Sequence, residues 1–175
     1  MNSLIEKVRD SAKTALNSLW KALNSMDFSG KNYINGEWKH IPETYVKLNP
    51  CTGSEQGTFP ETGKGDVDGA ILSARKAFRS WRKVSRFVRS DYMNKVAQII
   101  ERRRDELATV ISLETGKNFN ESIAEVNEAL HMAQYAFGSG RMPFGEMVAS
   151  EIPEKDSYML RKPKGVVAII SPWNF

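Results

Sequence analysis

The feature that most constrains the fold is an unbroken apolar run near the carboxyl terminus, from Val166 to Ile170. Apolar residues without polar alternation predict a strand whose two faces are both buried. Such strands are typical of parallel sheets covered by helices. Ligands bind these sheets at the carboxyl ends of the strands, where Ser171 to Asn174 follow here. The run therefore predicts an α/β protein with a ligand site after this strand, and the alternative is a plain buried strand before a proline turn.

Length and composition are those of a globular chain. The 175 residues suffice for one ordinary domain, with 41% apolar and 26% charged residues and a net charge of +4. The single cysteine, Cys51, cannot form an internal disulfide, which favours a reducing compartment and a cytoplasmic location. No apolar run approaches the roughly 18 residues that a membrane span needs, so we expect no transmembrane segment.

Residues 1–30 form a segment of their own, in which apolar residues such as Leu4, Val8 and Leu19 recur at helical spacing. The stripe predicts an amphipathic helix that docks on the protein body or frays, and that ends near the turn-forming residues 27–30. Its apolar residues are too dispersed for a secretory signal peptide. A mitochondrial presequence, which should be poorer in acids, and a helix lying on a membrane surface are the less favoured alternatives.

Turn signals dominate the next segment. The dipeptide Asn-Gly within Tyr33–Trp38 lies between apolar pairs, which is the strongest short signal for a hairpin. Asn49–Gly53 predicts a second turn, and Gly57–Phe59 a short strand. Cys51 lies in the second turn with no histidine near it in sequence, and a thiol needs a base or a positive environment to ionise. We therefore interpret Cys51 as a small residue tolerated in a turn, not as a nucleophile.

Three amphipathic helices are predicted between residues 66 and 137. Asp66 caps the first, which runs to Trp81, and the second spans roughly Ser90–Thr115. The third opens at Asn118, with Glu121 as in a capping box, and is broken by the glycines and proline of residues 138–145. The predicted buried faces are Val67, Ile71, Ala74, Phe78 and Trp81; Met93, Val96, Ile100, Leu107 and Ile111; and Ile123, Val126, Leu130, Ala133 and Phe137.

The chain carries a row of arginines that could bind nucleic acid and two histidines that could bind a metal ion. Five arginines recur at helical spacing from Arg75 to Arg89, but Val84-Ser85 is expected to interrupt the helix and no aromatic residues alternate with them to stack bases. We interpret them as a solvated face and expect no nucleic-acid partner. His40 and His131 are far apart and lack metal-ligand spacing, so no metal site is expected and His131 is an ordinary helix residue.

Six short blocks follow one another along the chain in an order that is specific as a set, although each is weak alone. The blocks are Tyr33–Trp38; Asn49-Pro50-x-Thr52-Gly53; Asp66-Val67-Asp68 with Ala70 and Ala74 to Trp81; Leu113–Lys117; Glu125-Val126; and Pro163-x-Gly165-Val166-Val167 running into Pro172–Phe175. With these blocks the chain resembles the amino-terminal third of the aldehyde dehydrogenase superfamily, from about Tyr33 to Phe175.

The resemblance implies roles for the residues after the apolar run. The Asn of the family's Pro-Trp-Asn-Phe motif, here Asn174, would donate its side-chain amide to the oxyanion that forms when a cysteine thiolate attacks an aldehyde. A neutral donor suits this role because it stabilises developing negative charge and has no proton to lose. The backbone of Ser171, Pro172 and Trp173 would lie against NAD or NADP. The implied activity is NAD(P)-dependent oxidation of an aldehyde to a carboxylate through a cysteine thiohemiacetal.

Other parts of the family's machinery are not in these 175 residues. The family's nucleophilic cysteine, general-base glutamate, cofactor lysine and glycine-rich cofactor turn come later in its chain. We therefore expect an incomplete aldehyde dehydrogenase, inactive as it stands, whose parent oxidises aldehydes. The alternative is a non-catalytic short product that folds in part or pairs with a full-length relative.

The resemblance also divides the chain into four parts. Residues 1–30 would be an extension, and residues 31–145 the amino-terminal part of the cofactor-binding domain, with a hairpin and three helices. Residues 146–162 would form a long hairpin, with strands near Met147–Ala149 and Ser157–Leu160, of the kind that joins subunits in a homo-oligomer. Residues 163–175 would be the first strand of the cofactor-binding parallel sheet. The aldehyde and the choice between NAD and NADP depend on residues outside this sequence.

Overall fold

Four helices and six short strands make up the regular structure of the described residues. The computed structural model describes Thr14, residues 28–172 and residues 174–175, so the stripe predicted near the amino terminus lies, apart from Thr14, outside them. The chain divides into two units, Met1–Lys64 and Gly65–Phe175. The elements, in order, are β1 (Asn32–Ile34), β2 (Glu37–Lys39), β3 (Thr44–Leu48), β4 (Glu55–Pro60), α1 (Lys64–Trp81), α2 (Arg86–Arg102), α3 (Arg104–Thr115), α4 (Phe119–Ser139), β5 (Gly145–Val148) and β6 (Ser157–Leu160).

In the first unit, β1 and β2 form the predicted Asn-Gly hairpin. Asn35 and Gly36 have φ values of 56° and 81°. Positive φ at both central residues is the signature of a type I′ turn, whose twist matches that of the flanking strands. Tyr33 pairs with Trp38 across the hairpin, and their ring centroids lie 4.8 Å apart. The hairpin prediction is confirmed.

The second predicted turn joins β3 to β4. The buried Asn49 accepts hydrogen bonds at Oδ1 from the backbone N–H groups of Cys51 (2.8 Å) and Thr52 (3.2 Å). Gly53, with a φ of 72°, closes the turn by donating to the Asn49 carbonyl at 2.8 Å. An Asn side chain that bonds the backbone ahead of it is a typical turn former. The structure thus confirms this turn, extends the predicted strand at 57–59 to Glu55–Pro60, and adds β3.

The packed part of the second unit consists of α2, α3 and α4. The side chain of Ser85 caps α2, and that of Asn118 caps α4 as predicted, by accepting from the Asn120 N–H at 2.8 Å. Both α2 and α3 pack against α4, which has 21 residues and is therefore about 31 Å long. Small and medium-sized apolar residues occupy this contact, which lets the helix backbones approach closely. The buried apolar residues are Ala97, Ala108, Leu113, Val126 and Ala133.

One correction concerns the second predicted helix, which is two helices separated at Arg103. That residue has φ −103° and ψ 17°. Its N–H donates to the Ile99 carbonyl at 3.0 Å, and its own carbonyl accepts from the Leu107 N–H at 2.9 Å. Both halves pack against α4. Helical periodicity in the sequence does not predict this break, because hydrogen bonds between residues four positions apart continue across it.

Helix α1 confirms the first predicted helix but not the burial of its stripe. It begins at Lys64. Asp66 lies in its first turn, where the helix dipole stabilises a carboxylate, and not at the cap position that the sequence predicts. None of its residues is buried, and Val67 and Ile71 are exposed. The interruption predicted at Val84-Ser85 is confirmed, since α1 ends at Trp81 and α2 begins at Arg86.

The carboxyl-terminal part of the second unit combines a confirmed hairpin and a correction. Strands β5 and β6 pair antiparallel, as predicted for residues 146–162. Residues 166–170 form no strand, and Ile169 and Ile170 are 83% and 92% exposed. A strand requires a hydrogen-bonded neighbour, and the three sheets among the described residues are all two-stranded hairpins. This corrects the prediction of a buried strand; its place in a cofactor-binding sheet stays a prediction.

Candidate active site

The predicted site residues follow the apolar run at the end of the chain. Ser171 and Pro172 are exposed, and Trp173 lies outside the described residues. Asn174 is also exposed, but its side chain makes a hydrogen bond to a residue far away in sequence. The contacts of Asn174 therefore define the candidate site.

Lys117 binds the side chain of Asn174. Its Nζ donates to Asn174 Oδ1 at 2.7 Å and lies 5.9 Å from the centroid of the Phe175 ring. An ammonium group has three donors and no acceptor. The Asn174 carboxamide therefore presents its oxygen to Lys117, and its amide nitrogen points to the other side.

Glu125 holds the same ammonium group from the body of α4. Its Oε1 forms an ion pair and hydrogen bond with Lys117 Nζ. The side chains of Lys117 and Glu125 are only 22% and 12% exposed. A partly buried pair is screened less by water than a surface pair, so removal of one partner leaves an unfavourable charge behind. The Lys117 ammonium group is thereby held by Glu125 and also bound to Asn174.

The backbone around Lys117 is fixed by two helix ends. Gly116 ends α3 in the left-handed conformation, with a φ of 75°, and its N–H donates to the Ser112 carbonyl. Lys117 N–H donates to Thr115 Oγ1 at 3.3 Å, and Asn118, the next residue, caps α4. Lys117 is thus the single residue between the two caps. A side chain placed on such a short connection between packed helices has few alternative positions.

A hydrogen bond between side chains reinforces this corner. The hydroxyl oxygens of Ser112 on α3 and Ser122 on α4 lie 2.9 Å apart. Ser122 is fully buried and also donates to the Asn118 carbonyl at 3.2 Å. The hydrogen bond therefore joins α3, which ends just before Lys117, to α4, which carries Glu125.

Other candidate residues lie elsewhere. Cys51 is exposed in the β3–β4 turn of the first unit. His131 lies on α4, where its Nδ1 is 3.7 Å from Glu128 Oε1. In the part of the chain that the structure describes, no group of three or more His, Cys, Asp or Glu residues could hold a metal ion. None of the described helices is both long and apolar enough to cross a membrane.

The sequence did not reveal the contact between Lys117 and Asn174. Lys117 and Glu125 lie in two of the blocks that carry the family resemblance, but no role was attached to them. Lys117 and Asn174 are 57 residues apart, so neither helical nor strand periodicity relates them. The one sequence signal for the position of Lys117 is the junction Gly116-Lys117-Asn118, where a residue that stops a helix and a residue that caps the next helix flank the lysine.

Comparison with known proteins places this chain in a family. The sequence model of the aldehyde dehydrogenase family matches residues 38–175. Malonate-semialdehyde dehydrogenase 2 of Bacillus thuringiensis is 35% identical over 147 residues, which are 83% of this chain and 30% of that protein. Betaine aldehyde dehydrogenase of Bacillus subtilis is also 35% identical over 147 residues, with 82% and 30% covered.

A solved structure agrees with the sequence comparison. A double mutant of betaine aldehyde dehydrogenase from Staphylococcus aureus, in complex with NAD+, superposes with a TM-score of 0.77 at 35% identity and covers 83% of this chain and 30% of its own. The chain belongs to the aldehyde dehydrogenase family, and it spans about 30% of the length of the curated relatives it matches. Its helices and small sheets correspond to part of that fold.

Proposed function

We propose that this chain is the amino-terminal part of an NAD(P)-dependent aldehyde dehydrogenase, with Asn174 as the oxyanion donor. The observation that carries the proposal is the Asn174 side chain, whose oxygen is occupied by Lys117 and whose amide N–H groups point away from it. The family match over residues 38–175 supports the reaction class. NAD or NADP is supported by the NAD+ complex of the Staphylococcus aureus relative and by the D-glyceraldehyde dehydrogenase (NADP(+)) of Picrophilus torridus.

Asn174 acts in the first chemical step. A cysteine thiolate, from family sequence beyond these residues, adds to the aldehyde carbon; the new C–S bond forms as the C=O π electrons move to oxygen. The resulting thiohemiacetal oxyanion accepts a hydrogen bond from Asn174 Nδ2. Removal of one such donor typically costs on the order of 100- to 1,000-fold in rate. Loss of a hydride from the former aldehyde carbon to NAD(P)+, as the oxyanion electrons re-form the C=O bond, would convert the thiohemiacetal into a cysteine thioester. Water would then hydrolyse the thioester, which releases the carboxylate and restores the thiol.

The residues before Asn174 fit the edge of a cofactor site. Ser171 and Pro172 are exposed, so a flat ring could lie against them. Proline also restricts the backbone to few conformations. NAD(P)+, when bound, accepts the hydride that the aldehyde carbon loses. Ser171, Pro172 and Trp173 are proposed to line one side of that site and to orient the ring towards the carbon next to Asn174.

The β5–β6 hairpin supports a proposal about assembly. Met147, Tyr158 and Leu160 are exposed on it, and an apolar strand edge can pair with another copy. We assign residues 146–162 to subunit contact in a homo-oligomer. The same exposed edge favours the second candidate function, a non-catalytic short product that pairs with a full-length relative. A cytoplasmic location suits the single cysteine of either form.

The DNA that follows the Phe175 codon separates the two functions. We expect a continuing frame with a cysteine motif and a glycine-rich turn; a stop codon there would select the pairing module. The protein expressed from the continuing frame should form NADH or NADPH with an aldehyde, whereas the 175-residue chain should give no more than a no-protein control. Turnover by the purified 175-residue chain, or none by the longer protein with any simple aldehyde and either cofactor, would overturn the proposal.

A further inference from the structure

We propose that Lys117 is a positioning residue that fixes the orientation of the Asn174 carboxamide, and that Glu125 fixes Lys117 in turn. The inference rests on the proposed function of Asn174 and adds two residues that do not touch the reacting atoms. It is carried by the 2.7 Å hydrogen bond from Lys117 Nζ to Asn174 Oδ1 and by the ion pair between Lys117 and Glu125.

The need for positioning follows from the shape of a carboxamide. Rotation of the Asn174 side chain by half a turn about its Cβ–Cγ bond exchanges the positions of the oxygen and the nitrogen. These two atoms have nearly the same size but opposite hydrogen-bonding character. Only one orientation gives a donor to an oxyanion; the other presents a lone pair that repels it. Asn174 is exposed, so burial does not select the orientation. Lys117 does, because its ammonium group accepts no hydrogen bond from an NH₂ group.

The same contact strengthens Asn174 as a donor. A hydrogen bond from a charged group to an amide oxygen is stronger than one between neutral groups. It draws electron density towards that oxygen, and hydrogen bonds in such a chain polarise one another. The Nδ2–H groups of Asn174 therefore carry more positive charge than in a free carboxamide.

Glu125 explains why the ammonium group stays in place. A lysine side chain is flexible and loses considerable rotamer entropy when it is held. Glu125, whose side chain is 12% exposed on the well-packed α4, restrains it through the ion pair. Glu125 therefore positions Lys117, and Lys117 positions Asn174.

A double-mutant cycle on the longer protein described above tests this order. Lys117→Met alone would leave a mostly buried carboxylate unpaired, so the test variant is Lys117→Met with Glu125→Gln, which removes both charges and keeps the volumes. Single-turnover NAD(P)H formation and thermal melting are measured for this pair, for Asn174→Ala, and for the combination. Lys76→Met on the exposed face of α1 is the matched control, and Lys117→Arg the conservative variant.

We expect the pair variant to slow the first turnover about 10-fold, with the Michaelis constant for the cofactor unchanged, and to add no further slowing to Asn174→Ala. Lys117→Arg should recover most of the rate, and Lys76→Met should match the parent. If the pair variant fails to fold, Glu125→Gln alone enters the same cycle with a smaller expected loss. Additive slowing, or a loss that follows melting temperature alone, would overturn the positioning role while leaving Asn174 in its proposed role. An Asn174→Ala variant as fast as the parent would overturn the proposed function itself.

Discussion

Helices α2, α3 and α4 and the apolar run at residues 166–170 both carry apolar residues that the sequence predicts to be buried, but the two regions have opposite environments. In the helices, Val126 is 3% exposed and Ala108 is fully buried. In the run, Ile170 is 92% exposed. These helices satisfy their backbone groups internally, and their apolar faces meet one another within residues 86–139. A parallel strand needs a neighbour that is brought to it by a long crossover.

The difference shows that an element whose packing partners are near in sequence folds with them, whereas a parallel strand depends on partners that are distant in sequence. The contact among α2, α3 and α4 is complete within residues 86–139. The run at 166–170 has the composition of a strand buried on both faces and no strand beside it among the described residues. The structure of the run therefore depends on neighbouring strands, whereas the structure of the helices depends on their own periodic pattern of apolar residues.

The largest effect should come from a charge placed in the helical core. Val126→Asp would bury a carboxylate without a partner, at a cost on the order of 3–5 kcal/mol, which is most of the stability of a small unit. We expect loss of cooperative unfolding and of helical circular dichroism. Ile170→Asp is the control, because its side chain faces water and the change should stay within about 0.5 kcal/mol. Equal losses from both substitutions would show that the run is packed and would remove the contrast.

A smaller effect tests how closely the helix ends approach. A Cβ added at Gly140 would lie 2.3 Å from Ser90 Cβ and 3.2 Å from the Arg86 carbonyl oxygen. Gly140→Ala should therefore cost roughly 1–3 kcal/mol by overpacking, measured by denaturant unfolding. Gly138→Ala has nothing within 4 Å of the added atom and lies in α4, so it should stabilise by up to about 1 kcal/mol. Equal and small effects at both positions would show that α2 and the end of α4 do not touch.

The smallest effect concerns the ion pair at the break between α2 and α3. The hydrogen bond from Arg103 lowers the pKa of Glu106 below its ordinary value of 4.5. A pKa lowered by folding adds stability above the unfolded pKa, and this is lost as the pH falls through the folded pKa. Glu106→Gln should therefore lower the melting temperature slightly at pH 7, and the melting temperatures of variant and parent should converge in acid, once the pH falls below the lowered pKa of Glu106. Because the pair is exposed, a large shift, or one that persists in acid, would contradict this.

Much of the fold could be predicted from local sequence chemistry. The Asn35-Gly36 turn, the Asn49 turn and the Asn118 cap depend on side chains that bond or bend their own backbone, so the sequence determines them directly. The break at Arg103 and the exposure of Val67 depend on what lies beside a helix, which a periodic pattern does not contain.

The site divides in the same way. Asn174 was identified from the motif that contains it, and its role stays a prediction. Lys117 and Glu125 were visible only as members of other motifs, because a contact across 57 residues joins Lys117 to Asn174 and a helix corner joins Glu125 to Lys117. No spacing rule connects a lysine between two helix caps to an asparagine at the end of an apolar run.

The central claim is that Asn174 stabilises the oxyanion, and the first-turnover rate of its variants in the longer protein tests it most directly. Asn174→Ala should slow NAD(P)H formation on the order of 100- to 1,000-fold with an unchanged melting temperature, because an exposed carboxamide contributes little to packing. Asn174→Asp should be at least as slow, since a carboxylate repels the oxyanion, while Cys51→Ser should match the parent. If Asn174→Ala lost rate only in proportion to stability, or if Cys51→Ser abolished turnover while Asn174→Ala kept it, the account would be contradicted.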